Sequence, residues 1–190
     1  YQVKRDRALL QHVVYVNGIR GKSTVTRMIA AGLKSGGWSV FCKTTGTVPR
    51  LIGTDGVERP LRRRGKANIR EQARVMRMAV REHAQVLVIE CMAVDPFLQE
   101  ISQRKIVRSD IGVITNVRLD HTEEMGLTLE EICDSLSRTI PEHGILYTAD
   151  TQFWGQMVRN AEKVGARVEL SRPADDLPNF DFPENVALAL

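Results

Sequence analysis

Residues 18–24 read Gly-Ile-Arg-Gly-Lys-Ser-Thr, a spacing of glycines, one lysine and hydroxyls that suits phosphate. Gly18 and Gly21 let the backbone curl close to phosphate oxygens, Lys22 can reach the β- and γ-phosphates of a nucleotide, and Ser23 can offer its hydroxyl to Mg²⁺. Asn17, Arg20, Thr24 and, from a neighbouring strand end, Asn116 are grouped with them as nucleotide contacts. A helix starting after Gly21 would point its free first-turn N–H groups at the loop and add the positive end of its dipole. The strict phosphate-loop consensus wants a glycine five residues before Gly21, and that position is Val16. What remains is G-x-x-G-K-[ST], which predicts an ATP site only if a strand precedes it and a helix follows. The plain alternative is an ordinary strand-to-helix turn.

Further groups with chemistry stand at the ends of apolar runs. Glu90 closes 86–89, and Asn116 closes 111–115 and opens Asn-Val-Arg-Leu-Asp-His, ending at His121. Magnesium prefers a few carboxylate and hydroxyl oxygens plus water, so Glu90, Ser23 and a threonine from Thr44, Thr45 or Thr47 make a fitting set. From spacing alone, His121 reads equally as a metal or phosphate contact and as a surface histidine. His12, His83 and His143 have no comparable setting and read as structural or solvated.

These groups need a frame. The run 13–16 reads as a strand leading into the loop, and 22–35 as a helix, with Val25, Met28, Ile29 and Leu33 on one face and Gly36-Gly37 as its stop. A short helix is expected near 4–12, a strand at 39–42, and an irregular excursion or hairpin over 50–65. Asn68 with Glu71 and Thr128 with Glu131 have the form of capping pairs before helices. The runs 86–89 and 111–114 look like strands covered on both faces, 145–147 like another strand, and 151–164 like a last helix. Alternating strands and helices predict a three-layer α/β fold, a parallel sheet with helices on both faces and ligands at the carboxyl ends of its strands. The expected division is a helical segment at 1–12 and one nucleotide-binding domain at 13–190.

Composition agrees: 190 residues, 43% hydrophobic and 26% charged, fit one globular domain. No apolar run approaches the roughly 18 residues of a membrane span, and the first residues do not form a secretory signal, so a soluble chain is expected. The three cysteines have no C-x-x-C spacing, which fits a reducing, cytoplasmic compartment. The formal net charge is +4, and the segment 58–66 holds five basic residues against Glu58 alone. That run is either a solvated loop or a polyanion contact. It contains no aromatic residue on which bases could stack, so no nucleic-acid partner is expected.

In order and spacing, residues 18–23, Glu90 and 116–121 resemble the G-T-N-G-K-[ST] loop, strand-end Glu and N-[IV]-x-x-D-H motif of the central ATPase domain of the Mur ligase superfamily. Within that superfamily, 17–26 (Asn-Gly-Ile-Arg-Gly-Lys-Ser-Thr-Val-Thr), 43–47 (Lys-Thr-Thr-Gly-Thr) and 90–94 (Glu-Cys-Met-Ala-Val) are similar to the poly-γ-glutamate synthase branch. The likeness runs from about residue 13 to the end.

The resemblance implies an ADP-forming carboxylate–amine ligase that activates a glutamate γ-carboxylate as an acyl phosphate and joins it to an amine. It implies that Lys22 holds the γ-phosphate, that Ser23, Thr45 or Thr47, and Glu90 serve Mg²⁺, and that His121 binds a second Mg²⁺. Asn185 would meet adenine, although the His and second Asn of the family's adenine element are here Glu184 and Leu188. The carbamylated lysine of many family members has no counterpart that can be placed. Also implied are glutamate and its polymer as substrates, membrane partner subunits holding the chain at the inner face of the cell membrane, and a possible homo-oligomer. A further C-terminal domain would begin where this chain stops, so turnover is expected to need more protein. A phosphate-loop kinase or regulatory NTPase is the alternative.

Overall fold

The computed structural model describes residues 2–46, 48–63, 65, 67–173 and 182–190. Thr47, Arg64 and Lys66 lie outside them. Eight strands form one sheet: β1 His12–Asn17, β2 Val40–Thr44, β3 Arg50–Ile52, β4 Glu58–Pro60, β5 Val86–Glu90, β6 Ile111–Ile114, β7 Ile145–Thr148 and β8 Arg167–Leu170, in the order β4-β3-β2-β5-β1-β6-β7-β8. From β2 to β8 neighbouring strands are parallel, while β3 and β4 are an antiparallel extension at the edge. The expected excursion is thus a hairpin over Arg50–Pro60.

The β1, β2 and β5 runs are apolar on both faces because helices cover both. One face, with Val14, Val16, Val40, Cys42, Val86 and Val88, packs on Val25 and Ile29 of helix α2, Lys22–Ser35, and on Leu188 beside α8, Pro183–Ala187. The other, with Val13, Tyr15, Phe41, Leu87 and Ile89, packs on Val75, Met76 and Ala79 of α3, Arg70–Arg81, and on Val3 of α1, Gln2–Ala8. Burying each of the Val, Leu, Ile, Phe and Met side chains among these contributes about 1.5–3 kcal/mol. Further along this face lie α4, Pro96–Ile101, a π-helical turn Ser102–Val107, α5, Thr122–Met125, α6, Leu129–Leu136, and α7, Trp154–Glu162.

Several boundaries differ from expectation. The first helix ends at Ala8, and His12 opens β1. Thr128 and Glu131 form a full capping box, but Asn68 and Glu71 do not. Asn68 Oδ1 accepts the Arg70 N–H at 2.9 Å, and Glu71 turns instead to Arg63 and Lys43. The last helix is shorter than 151–164, and β8 and α4 carry no strong sequence signal. Asp95 caps α4 by accepting from Leu98 N at 2.8 Å, with Pro96 in the first turn.

Candidate active site at the carboxyl rim of the sheet

β1 is central, and its register aligns Val16 with Glu90 and Asn17 with Ile114. The chain leaves β1 for β2 on one side and reaches β6 on the other, so the loop after β1 sits where ligands bind in such sheets. Asn17, Glu90 and Thr44 end their strands on the same rim.

The loop is built for close approach. Gly18 has φ 125°, and a Cβ there would lie 2.1 Å from Thr115 Oγ1; Gly21 has φ 80°, and a Cβ there would lie 3.0 Å from Asn185 Oδ1. Conformation demands glycine at both positions, and at Gly18 the space does too. α8 therefore carries Asn185 across the loop. Gly21 caps α2 without a side-chain bond, so the first N–H groups of the helix keep their hydrogen-bonding capacity for an anion.

β6 holds the loop from beneath. Asn116 brackets Arg20: its Oδ1 accepts the Arg20 N–H and its Nδ2 donates to the Arg20 carbonyl, both at 3.0 Å. Thr115 Oγ1 donates to the same carbonyl at 2.6 Å, and Ile19 N donates to Asn116 O at 3.2 Å. The exposed Arg20 guanidinium pairs with Asp120 at 2.8 Å and so tethers the loop to the turn that presents His121. His121 is exposed, with φ 51°, and starts α5. Thr24 is exposed in the first turn of α2.

Lys22 Nζ folds back on the loop, donating to Gly18 O at 2.6 Å and Ile19 O at 3.2 Å. Burial pulls its pKa below the ordinary value, opposed by the nearby Glu90 carboxylate. Ser23 Oγ donates to Glu90 Oε2 at 2.7 Å, and the same oxygen accepts the Thr45 N–H at 2.7 Å. Thr45 thus meets Glu90 through its amide and not its hydroxyl. A glycine cradle, an uncapped helix start and hard oxygen donors at Ser23 and Glu90 fit a nucleotide phosphate with a divalent cation. Among the described residues no three His, Cys, Asp or Glu side chains converge on one point.

Asn17 is the expected contact that the fold turns away. Its Nδ2 donates to Gln99 Oε1 at 2.7 Å and to Thr139 Oγ1 at 3.2 Å inside the protein. As the neighbour of Tyr15 by strand alternation, it faces the helical layer on the far side from α2.

Two buried networks escaped the sequence reading. Tyr15 Oη lies 2.7 Å from Ser102 Oγ and 3.1 Å from Cys91 Sγ; Ser102 also bonds Gln72, whose Nε2 donates to Glu90 O at 3.3 Å. Gln72 betrays itself as the one polar member of the stripe Gln72, Val75, Met76, Ala79. The second network holds Lys43, fully buried, with Nζ 3.2 Å from Glu71, which Arg63 also grips at 2.6 Å. Burial pulls Lys43 down and Glu71 pulls it up, for a net lowering. Burial raises Glu71, but Arg63 and Lys43 outweigh it and hold the carboxyl below its ordinary range. A lysine between Cys42 and Thr44 in a doubly covered strand is itself the signal, since such a charge needs a partner inside.

Residues 16–173 match the Mur ligase middle domain. The chain belongs to the Mur ligase family. Two relatives of this Mur ligase domain are the capsule biosynthesis protein CapB of Bacillus anthracis, 41% identical over 187 residues, and the PGA synthase CapB of Bacillus subtilis (strain 168), 41% identical over 186. Each alignment covers 93% of this chain but 40% and 47% of the relative, so the chain spans about half the length of the curated relatives it matches. Among solved structures, the bifunctional folylpolyglutamate synthase/dihydrofolate synthase of Yersinia pestis CO92 superposes with a TM-score of 0.69 at 16% identity, covering 98% of this chain and 55% of that one. A complex of such an enzyme with Mn, AMPPNP and L-glutamate has a TM-score of 0.65 at 14% identity, with coverages of 98% and 56%. These structural likenesses concern the fold alone.

Proposed function

We propose that this chain is the ATP-binding domain of a carboxylate–amine ligase acting in poly-γ-glutamate synthesis. The observation that carries the reading is the Ser23–Glu90–Thr45 junction beside the glycine cradle, on a Mur ligase middle domain whose relatives are named for capsule and PGA synthesis. Lys22 and the first N–H groups of α2 hold the β- and γ-phosphates of ATP, while Asn116 keeps the loop in shape. Ser23 and Glu90 would hold Mg²⁺, which when bound would supply positive charge to offset that of the phosphoryl group. Asn185 stands beside Gly21 on the side assigned to the base. His121 and Thr47 are kept as candidates for the cation sites, and Thr24 and Arg20 as flanking contacts.

In this proposal a glutamate γ-carboxylate oxygen attacks the γ-phosphorus, ADP leaves, and an amine displaces phosphate from the acyl phosphate. The substrates are glutamate and the growing polymer, and the working site is the inner face of the cell membrane, with partner subunits. Among the described residues no helix is long and apolar enough to cross a membrane. The test is incubation of the protein with Mg·ATP, an amine acceptor and ¹⁸O-carboxylate substrate. Label in the released phosphate, together with ADP, supports acyl phosphate chemistry; AMP as product overturns it.

A further inference from the structure

α3 buries Gln72, Val75, Met76 and Ala79 and exposes Arg70, Arg74, Arg77 and Arg81. At 100° per residue these four arginines fall within an arc of about 60° and form a row roughly 16 Å long. Of the row, the surrounding acidic groups neutralise Arg77 alone. Glu71 is committed to Lys43 and Arg63, Asp6 is buried against Arg77 at 3.4 Å, and Glu82 accepts from Thr54 N at 3.0 Å on the hairpin side. Among the described residues, Arg70, Arg74 and Arg81 have no carboxylate within ion-pair distance. Arg74 instead donates to the carbonyl of Arg62 at 3.3 Å, which joins the row to the basic segment before the helix.

The position of the row matters as much as its charge. α3 connects the hairpin to the start of β5, so its first turn lies at the carboxyl rim and its last at the opposite end of the sheet. Glu71, in that first turn, holds Lys43 of β2, and the chain reaches the Thr45 amide on Glu90 two residues later. The row therefore begins beside the candidate active site and leads away from it.

We infer that the Arg70–Arg74–Arg77–Arg81 face of α3 is a track that binds the polycarboxylate chain as it leaves the active site. The polymer's identity rests on the ligase reading above. Guanidinium groups pair with carboxylates through two parallel bonds, and a row of them suits a chain carrying one carboxylate per unit. A membrane surface fits less well: the apolar side of α3 is spent in the core, leaving nothing to insert between lipids. The helix bears no aromatic residue for stacking bases.

The test is binding of fluorescently labelled poly-γ-glutamate by anisotropy to the wild type, to Arg74→Gln/Arg81→Gln, and to Arg159→Gln/Arg172→Gln, which removes the same charge elsewhere. ATP affinity and thermal stability are measured in each. The expected result is at least tenfold weaker polymer binding in the α3 variant alone, with ATP affinity and stability unchanged. Equal polymer affinity in all three proteins, or an equal loss in both variants, overturns the track. So does capture by phosphatidylserine vesicles that the α3 variant loses while poly-γ-glutamate neither binds nor competes. Wild-type protein that fails to bind Mg·ATP counts against the ligase reading, whereas intact ATP binding without polymer binding counts against the track alone.

Discussion

Ser23 Oγ donates to Glu90 Oε2 at 2.7 Å, tying the first turn of α2 to the end of β5. The same oxygen takes the Thr45 amide, so Glu90 is fixed before any cation arrives. Glu90→Gln keeps the shape and removes the charge. The expected result is that the gain in ATP affinity from Mg²⁺ falls at least roughly 10–100-fold, the scale on which even outer partners of a metal site act. Calorimetry with and without the cation checks it. An equal loss in both conditions would mean that Glu90 supports the loop and not the metal.

Lys22 has its ammonium folded on the carbonyls of Gly18 and Ile19, the position from which it can swing to a phosphate. Lys22→Met should weaken ATP by the value of a charged hydrogen bond, about 1.5–3 kcal/mol, with or without Mg²⁺. The change in folding stability should be smaller. Calorimetry paired with urea unfolding separates the two.

Lys43 and Glu71 form an ion pair with almost no access to water, the side chains being 0% and 9% exposed. Glu71→Gln strands a buried ammonium and should cost about 3–5 kcal/mol, whereas Lys43→Met/Glu71→Gln should be less destabilised than the sum of its single changes. A urea double-mutant cycle reads the coupling. Additive losses would show that the two charges do not sense each other.

Local pattern made the loop, α2 and the central strands legible, because Val13 to Val16 and the Val25, Ile29, Leu33 stripe each have only one way to bury. Thr128 and Glu131 announced their capping box for the same reason. Asn68 and Glu71 had the same form, yet the buried Lys43 outcompeted the cap for Glu71, a contact set by packing between β2 and α3 that no local window contains. Asn17 points inward because strand alternation decides its face, and the register places it with Tyr15. The bracket of Asn116 around Arg20 joins residues 96 positions apart, beyond any local window.

Cys42 is buried in β2, and burial pushes its thiol up to about 12 from an ordinary 9.0. Below pH 9 both folded and unfolded chains hold the proton. Between pH 9 and 12 the unfolded chain loses it and the folded chain keeps it, so stability falls as pH rises, by up to about 1.4 kcal/mol per unit. Cys42→Ala should flatten that decline in urea titrations while lowering stability at neutral pH through the lost packing. Identical alkaline slopes for the two proteins would exclude Cys42 as a source.

Asn17 separates structure from ligand binding. Its amide supplies a donor to Gln99, itself fully buried, and Asn17→Ala leaves that acceptor in a dry interior. The loss should be about 1–3 kcal/mol of stability. ATP affinity should hold, because the backbone path into Gly18 is fixed independently by Thr115 N donating to Asn17 O at 3.0 Å, a bond that the substitution does not touch. Urea unfolding and calorimetry on the same preparation decide the matter: lost affinity at unchanged stability would mean that the side chain reaches the nucleotide after all.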